Sequence, residues 1–234
     1  MENFLELQEK IGYTFKDPMH LRHALIHSSY ANEHGMPKFS DNERYEFLGD
    51  SVLEMVSSDF LFHNYPDQNE GQMSKLRASL VCEMALADVA SELSIGDYIF
   101  LSNGEEKTGG RQLKSILSDA LESVIGAIYL DGGIVPADAF IRKFILTDIE
   151  NRTLFYDAKT VLQELVQGGD YGTLHYEEMK ETGPEHRKTF YMRALVGNRL
   201  IGEGSGATKK AAEQEAAYRG LILLRQEQEA KKLR

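Results

Sequence analysis

The stretch Asn42–Leu53, NERYEFLGDSVL, constrains this chain more than any other. Wound as a helix at about 100° per residue, it brings Glu43, Glu46 and Asp50 within about 60° of one another. Tyr45, Leu48, Val52, Met55 and Val56 fall on the opposite side, an apolar stripe wide enough to face a core. Ser40, Asp41 and Asn42 stand just ahead as N-cap residues, and Ser40 with Glu43 fits a capping box. Carboxylates crowded on one face repel one another, so a cation is expected there, and an all-oxygen donor set favours Mg²⁺ or Mn²⁺. A solvated acidic face is the plain alternative. Two details weigh against it: Phe47 lies on the carboxylate side, where an exposed ring needs a partner, and Gly49, costly inside a helix, implies close approach to the backbone.

A second helix repeats the pattern. After Ser115 as its cap, ILSDALESVIGAIYL places Leu117, Leu121, Val124, Ile125 and Ile128 on a core stripe. Asp119 and Glu122, three residues apart, share the other side with Gly126. One acidic pair is a weak signal. Two such helices in one domain can gather four or five carboxylates around a shared site. Glu70, ahead of a helix expected to run unbroken through MSKLRASLVCEMALADVASEL, is equally well explained by the helix dipole. Lys75 and Arg77 read as a solvated face.

Charge tests this picture. The net charge is −11, awkward for a nucleic-acid binder. Residues 1–156 carry 13 Lys/Arg against 25 Asp/Glu, and residues 157–234 carry 13 against 12. The acid excess therefore sits with the carboxylate helices, and affinity for nucleic acid has to come from local clusters. The single cysteine, Cys82, excludes an internal disulfide and a cysteine-based zinc cluster. The acidic, amphipathic start MENFLELQEKIGY has no signal-peptide pattern, and no run reaches the roughly 20 apolar residues of a membrane span. A cytoplasmic chain without membrane contact or small-molecule cofactor is expected.

The remaining segments define two domains. Residues 1–35 read as helical, with a start at Asp17-Pro18, and His20, His23 and His27 take packing or surface roles there. Residues 95–114 read as a glycine-rich irregular connection in which Lys107, Arg111 and Lys114 could meet a nucleic-acid backbone, an ordinary surface loop being at least as good a reading. A further helix is expected over 136–151, from Pro136. The all-helical domain is expected over 1–152, a linker over 153–156, a small domain over 157–226 and a polar, frayed tail over 227–234. In the small domain DAKTVLQELVQ is an amphipathic helix with Val161, Leu162, Leu165 and Val166 inward. LHYEEMK, KTFYMRALV and RLIGEGSG read as strands, the last two joined by a Gly197-Asn198 hairpin. A final helix begins near Thr208. Lys209 and Lys210, beside the unpaired N–H groups of its first turn, read as a phosphate-binding corner that the preceding glycines let a backbone approach, in preference to a tolerated surface pair.

NERYEFLGDSVL resembles the defining motif of the ribonuclease III family, endonucleases that cut double-stranded RNA. IGYTFKDPMHLRHALIHSSYANE, YPDQNEG with MSKLRA, and DALESVIGAIYLDGG resemble further family segments in the same order. The α-β-β-β-α order of the C-terminal part resembles a double-stranded-RNA-binding domain. One departure is GGDYGTLHYEE, where relatives often carry a proline before the strand. The resemblance implies an all-α endonuclease domain followed by this small α+β domain. It implies that Glu46, Asp50, Asp119 and Glu122 hold Mg²⁺, with Mn²⁺ as substitute. Asp50 and Glu122 are then essential for cleavage, and Glu43 and Glu70 assist from the periphery. It further implies that Gln163 and Glu164 meet minor-groove 2′-hydroxyls, that His186 enters the next minor groove, and that Lys209 and Lys210 sit across a groove. Phe47 would plug into a second copy in a homodimer. A protein that binds duplex RNA without cutting it is the first alternative, opposed by the full set of six acids. A helical carboxylate enzyme for a small molecule is the second, opposed by the absence of Glu-x-x-His pairs and by the C-terminal domain.

Overall fold

A computed structural model of the chain describes residues 4–169, 171–183 and 188–232. Its contacts divide into two compact units, Met1–Ile149 and Glu150–Arg234.

The first unit is helical: α1 (Leu5–Ile11), α2 (Pro18–Ala24), α3 (Ser28–Glu33), α4 (Glu43–Asn64), α5 (Glu70–Leu80), α6 (Glu83–Glu92), α7 (Asn103–Lys107), α8 (Lys114–Gly132) and α9 (Ile134–Phe144). Helix α8 is the axis of the unit, with α4, α6, α2 and α9 packed around it. From Ile116 to Ile128 every residue of α8 is buried except Asp119 and Glu122, which are half-buried. A helix apolar on nearly all sides belongs inside a core, so these two acids mark where the core opens.

Helices α4 and α8 touch backbone to backbone. A Cβ added at Gly49 would stand 1.8 Å from the Glu122 carbonyl oxygen, and one at Gly126 would stand 2.3 Å from the Tyr45 carbonyl oxygen. Both glycines are therefore required by the crossing. Their cost in helix propensity is repaid by an approach no other residue permits. The start of α4 is tied down separately: Asn42 N–H donates to the Ile26 carbonyl at 2.8 Å, and Ser123 Oγ donates to the Asn42 carbonyl at 3.3 Å.

Several local expectations change. Met55 is 52% exposed, whereas Gly49, Leu53, Ser57 and Leu61 join Val52 and Val56 in the interior, rotating the buried face of α4. The N-cap of α4 is Asn42, with no side-chain cap bond, so the Ser40–Glu43 capping box does not form. The helix expected after Glu70 breaks at Val81-Cys82 into α5 and α6, where the β-branched valine and cysteine are poor helix formers. α8 starts at Lys114, capped by Leu113 rather than Ser115. The connection over 95–114 is more ordered than expected, because Ser102 caps α7 and Arg111 holds the Gly96 and Ile99 carbonyls at 2.8 and 3.0 Å. The helix expected over 136–151 ends at Phe144; Asp148, at φ 51°, interrupts it before α10 (Ile149–Tyr156).

The second unit contains α10, α11 (Ala158–Gln167), β1 (Leu174–Thr182), β2 (Thr189–Val196), β3 (Arg199–Gly206) and α12 (Lys209–Lys232). The strands form an antiparallel sheet in the order β1-β2-β3, with Tyr176 opposite Ala194 and Ala194 opposite Gly202. The β2–β3 turn is the expected one, with Gly197 at φ 57°. Leu162 and Val166 of α11, Ala194, Val196 and Ile201 of the sheet, and Ala216, Ala217 and Leu221 of α12 form the core.

Residues 153–156 lie within α10, where the Phe155 ring packs on Tyr218 at 5.1 Å and Gln214 Nε2 donates to the Phe155 and Tyr156 carbonyls. The polar end is helical to Lys232. Glu, Gln, Ala and Lys are good helix formers, and Arg199–Glu227 and Gln228–Tyr171 contacts anchor it. The glycines of GEGSG face α12 rather than a ligand: a Cβ at Gly202 or Gly204 would lie 2.2 or 2.3 Å from a helix carbonyl.

Candidate active site

The crossing of α4 and α8 brings one oxygen each of Glu46, Asp119 and Glu122 within 4.8 Å of one another, all three side chains half-buried. Residues distant in sequence thus converge because two acidic helix faces meet along a glycine contact. Glu43 and Asp50, both exposed on the same face of α4, stand close enough to act on Glu46, and Asp50 acts on Glu122.

The cluster holds protons unusually tightly. Burial pushes the Glu122 carboxyl up to about 8, reinforced by Asp50, Glu46 and Asp119. Burial raises Glu46 to about 7, reinforced by Asp119, Glu43 and Asp50. Asp119 is also raised by burial and by Glu83, against the opposing pull of a hydrogen bond from Ser118 and of His27. Desolvated carboxylates of like charge cannot all ionise without a counter-charge. Such a site fits a divalent cation, because the donors are all carboxylate oxygens and the missing charge is positive.

Other expected residues stand apart. Glu70 opens α5, where its carboxylate accepts from Ser74 Oγ at 3.1 Å. Arg77 bonds Ser58 Oγ at 2.7 Å and Glu54 at 3.0 Å, so it ties α5 to α4 instead of forming a solvated face. His20 and His23 pack against Tyr45, as the sequence suggests. In the second unit Gln163 and Glu164 are exposed on α11, and Lys209 and Lys210 are exposed at the start of α12. Lys209 pairs with Glu178 at 2.6 Å. His186 lies outside the described residues.

Sequence reasoning missed His27, Glu83, Ser118 and the Ser123–Asn42 bond. Of these only Ser118 and Ser123 carried a signal, since hydroxyls on an otherwise apolar helix need partners.

Comparison with known proteins decides the family. A family model described as ribonuclease-III-like matches residues 17–149, and the double-stranded RNA binding motif matches residues 158–224. The chain is 46% identical over 219 residues to ribonuclease 3 of Listeria monocytogenes serotype 4a, covering 93% of this chain and 96% of that protein.

The chain belongs to the ribonuclease III family.

It is 44% identical over 228 residues to ribonuclease 3 of Bacillus cereus strain AH187, covering 97% of this chain and 93% of that protein. The nuclease domain of ribonuclease III from Campylobacter jejuni is 45% identical, with a TM-score of 0.57, covering 61% of this chain and 96% of that chain. The protein is an endoribonuclease with a helical nuclease domain and a C-terminal double-stranded-RNA-binding domain. The family is metal-dependent, and the acidic cluster lies in its nuclease domain. Among the described residues no helix is long and apolar enough to cross a membrane.

Proposed function

We propose that this protein is a Mg²⁺-dependent, homodimeric enzyme that hydrolyses phosphodiesters on both strands of duplex RNA. Its products carry 5′-phosphate and 3′-hydroxyl ends. Its substrates are ribosomal RNA precursors, transfer RNA precursors and structured messages in the cytoplasm. The observation that carries this reading is the convergence of Glu46, Asp119 and Glu122. Around one Mg²⁺ at about 2.1 Å, ligand oxygens lie about 3 Å apart when adjacent and about 4.2 Å when opposite. A span of up to 4.8 Å lies near that range.

Glu46, Asp119 and Glu122 hold the ion in this reading, and Asp50 completes the set from the next turn of α4. When bound, the ion lowers the pKa of water and stabilises charge on the scissile phosphate and leaving oxygen. Glu43 and Glu70 support the site from the periphery, orienting water or the ligands. Gln163, Glu164, His186, Lys209 and Lys210 hold the duplex.

Phe47, 78% exposed, supports the homodimer. A pocket of about 300 Å³ lined by His23, Phe39, Arg44, Tyr45, Leu48 and Leu130 opens on the same helix. A two-fold contact would seat Phe47 of a second copy there. The Campylobacter jejuni nuclease domain has a region involved in dimer formation.

The test is a long RNA duplex incubated with the protein, with and without Mg²⁺. Shortening only with metal supports the nuclease; retardation on a gel without shortening would replace it with a binding module. Glu122→Gln is expected to bind the duplex and leave it whole.

A further inference from the structure

Phe39 stands in the loop between α3 and α4 at φ 66°, a backbone region that a bulky residue adopts only under constraint. Its ring is 64% exposed, with the Arg44 guanidinium 5.7 Å over it. Backbone bonds tie the two ends of the loop: Met36 N–H donates to the Ala31 carbonyl at 2.9 Å, and Asn42 N–H to the Ile26 carbonyl at 2.8 Å. Neither bond reaches Phe39 itself. The Phe39 carbonyl lies 3.0 Å from Nε2 of His23 on α2. A carbonyl oxygen can only accept, so the imidazole carries a proton at Nε2 and donates it.

The same histidine turns toward the pocket on α4. Its ring lies 4.7 Å from the Tyr45 ring, and the Tyr45 hydroxyl lies 3.0 Å from Nδ1 of His20, one turn earlier on α2. Phe39 and Tyr45 are both walls of the pocket of about 300 Å³, and His23 lines it with them. Helix α2 thus presents two imidazoles to two aromatic walls. Tyr45 belongs to a long helix and keeps its place by packing. Phe39 belongs to a loop and is held in a strained conformation, so its wall depends on what holds its backbone.

We propose that His23 is the latch of this pocket: its Nε2–H holds Phe39 in the left-handed conformation that makes the ring a wall against Phe47 of a second copy. The inference rests on the homodimer reading above and gives α2 a part in assembly. Without the bond, Phe39 returns to negative φ, which swings its ring and leaves the pocket open on that side. A single hydrogen bond to a carbonyl that water can reach sets the expected loss at about three- to tenfold in dimer affinity.

The test is sedimentation equilibrium of the full-length protein across a concentration series, with circular dichroism as the fold control. His23→Ala is expected to raise the dimer dissociation constant about three- to tenfold. His23→Gln, whose side-chain amide supplies an N–H, is expected to recover most of that loss. Phe39→Gly, which adopts the same φ without strain but removes the wall, is expected to weaken the dimer as well. In a Phe47→Ala background His23→Ala should add less than about twofold, because both act through one contact. If Phe47→Ala weakens the dimer while folded His23→Ala and Phe39→Gly assemble like wild type, the latch is overturned and the Phe47 contact stands. An equal loss in His23→Gln, or the full His23→Ala loss repeated on top of Phe47→Ala, would also overturn it. If Phe47→Ala itself leaves the dimer unchanged, the homodimer reading of Phe47 fails and the latch falls with it. Should His23→Ala misfold, Phe39→Gly decides: wild-type assembly overturns the latch, and a weaker dimer that His23→Gln does not share supports it.

Discussion

Glu46, Asp119 and Glu122 of the first unit face one another, each held above the ordinary carboxylate range by burial and by neighbouring acids. In the second unit the opposite holds: Lys159, Lys188, Arg193, Arg199, Lys209 and Arg219 pair with Glu213, Glu181, Glu203, Glu227, Glu178 and Glu215. One unit holds like charges together and half-dry, which raises their pKa values and favours a cation that replaces protons. The other keeps opposite charges together in water, where each pair is weak and easily exchanged for phosphate. That contrast explains how a chain of net charge −11 can serve RNA. Its second-unit cations sit in ion pairs, and its crowded acids lie in the nuclease domain.

The largest expected effect comes from breaking the acidic side of this contrast. Glu122→Gln and Asp50→Asn are each expected to lower single-turnover cleavage by about 10²–10³ or more, with duplex binding retained. Cleavage at the wild-type rate by either variant would remove the metal role of these acids.

Gly49→Ala attacks the geometry instead of the charge. Its Cβ would overlap the Glu122 carbonyl oxygen, so α4 and α8 must separate, at a cost of about 1–3 kcal/mol. A urea titration should show that loss, together with weaker Mn²⁺ binding. Unchanged stability would mean the crossing is looser than the contact implies.

Phe47→Ala is expected to weaken the dimer about thirtyfold, equivalent to ~2 kcal/mol. Sedimentation across a concentration series checks it, and an unchanged dissociation constant would place the interface elsewhere.

The pH dependence sharpens the comparison further. Glu46 and Glu122 titrate near 7 and 8 in the folded chain, above the ordinary 4.5. Between those values the folded state binds more protons than the unfolded one, so stability falls as pH rises through that window. The metal-free protein should therefore melt lower at about pH 8.5 than at about pH 6, and Mn²⁺ should raise Tm more at the higher pH. A metal-free Tm that rises over the same range would contradict the coupling of these acids.

The smallest effect concerns the second unit. Glu178→Gln releases Lys209 from a partly exposed pair, so duplex RNA should bind about two- to threefold more tightly at low salt. The gain should vanish when Lys209 is also changed. A loss of affinity would mean that Glu178 holds Lys209 in the binding position.

Much of this was legible in the sequence for definite reasons. Periodicity placed Glu43, Glu46 and Asp50 on one face and Asp119 and Glu122 on another, because a helix fixes the angles between its own residues. Gly49 signalled a close backbone approach, and the structure supplies the neighbour, Gly126-bearing α8. The register of α4 was less legible: Met55 points outward because packing on α8, not hydropathy alone, chooses the buried face. The GEGSG glycines were misread because a strand needs small residues equally for a ligand or for a helix laid across it. The bond from Ser102 N–H to Ser29 was invisible, since its partners lie 73 residues apart. Non-local hydrogen bonds leave no period to read.

The most direct test of the central claim is calorimetric titration of Mn²⁺ into metal-free protein near pH 7, in buffers of different ionisation enthalpy. The expected result is heat that varies with the buffer, showing release of about one proton or more per site as the ion displaces protons from Glu46 and Glu122, and no such heat for Glu122→Gln. Binding heat independent of the buffer, or unchanged in Glu122→Gln, would show that the ion goes elsewhere.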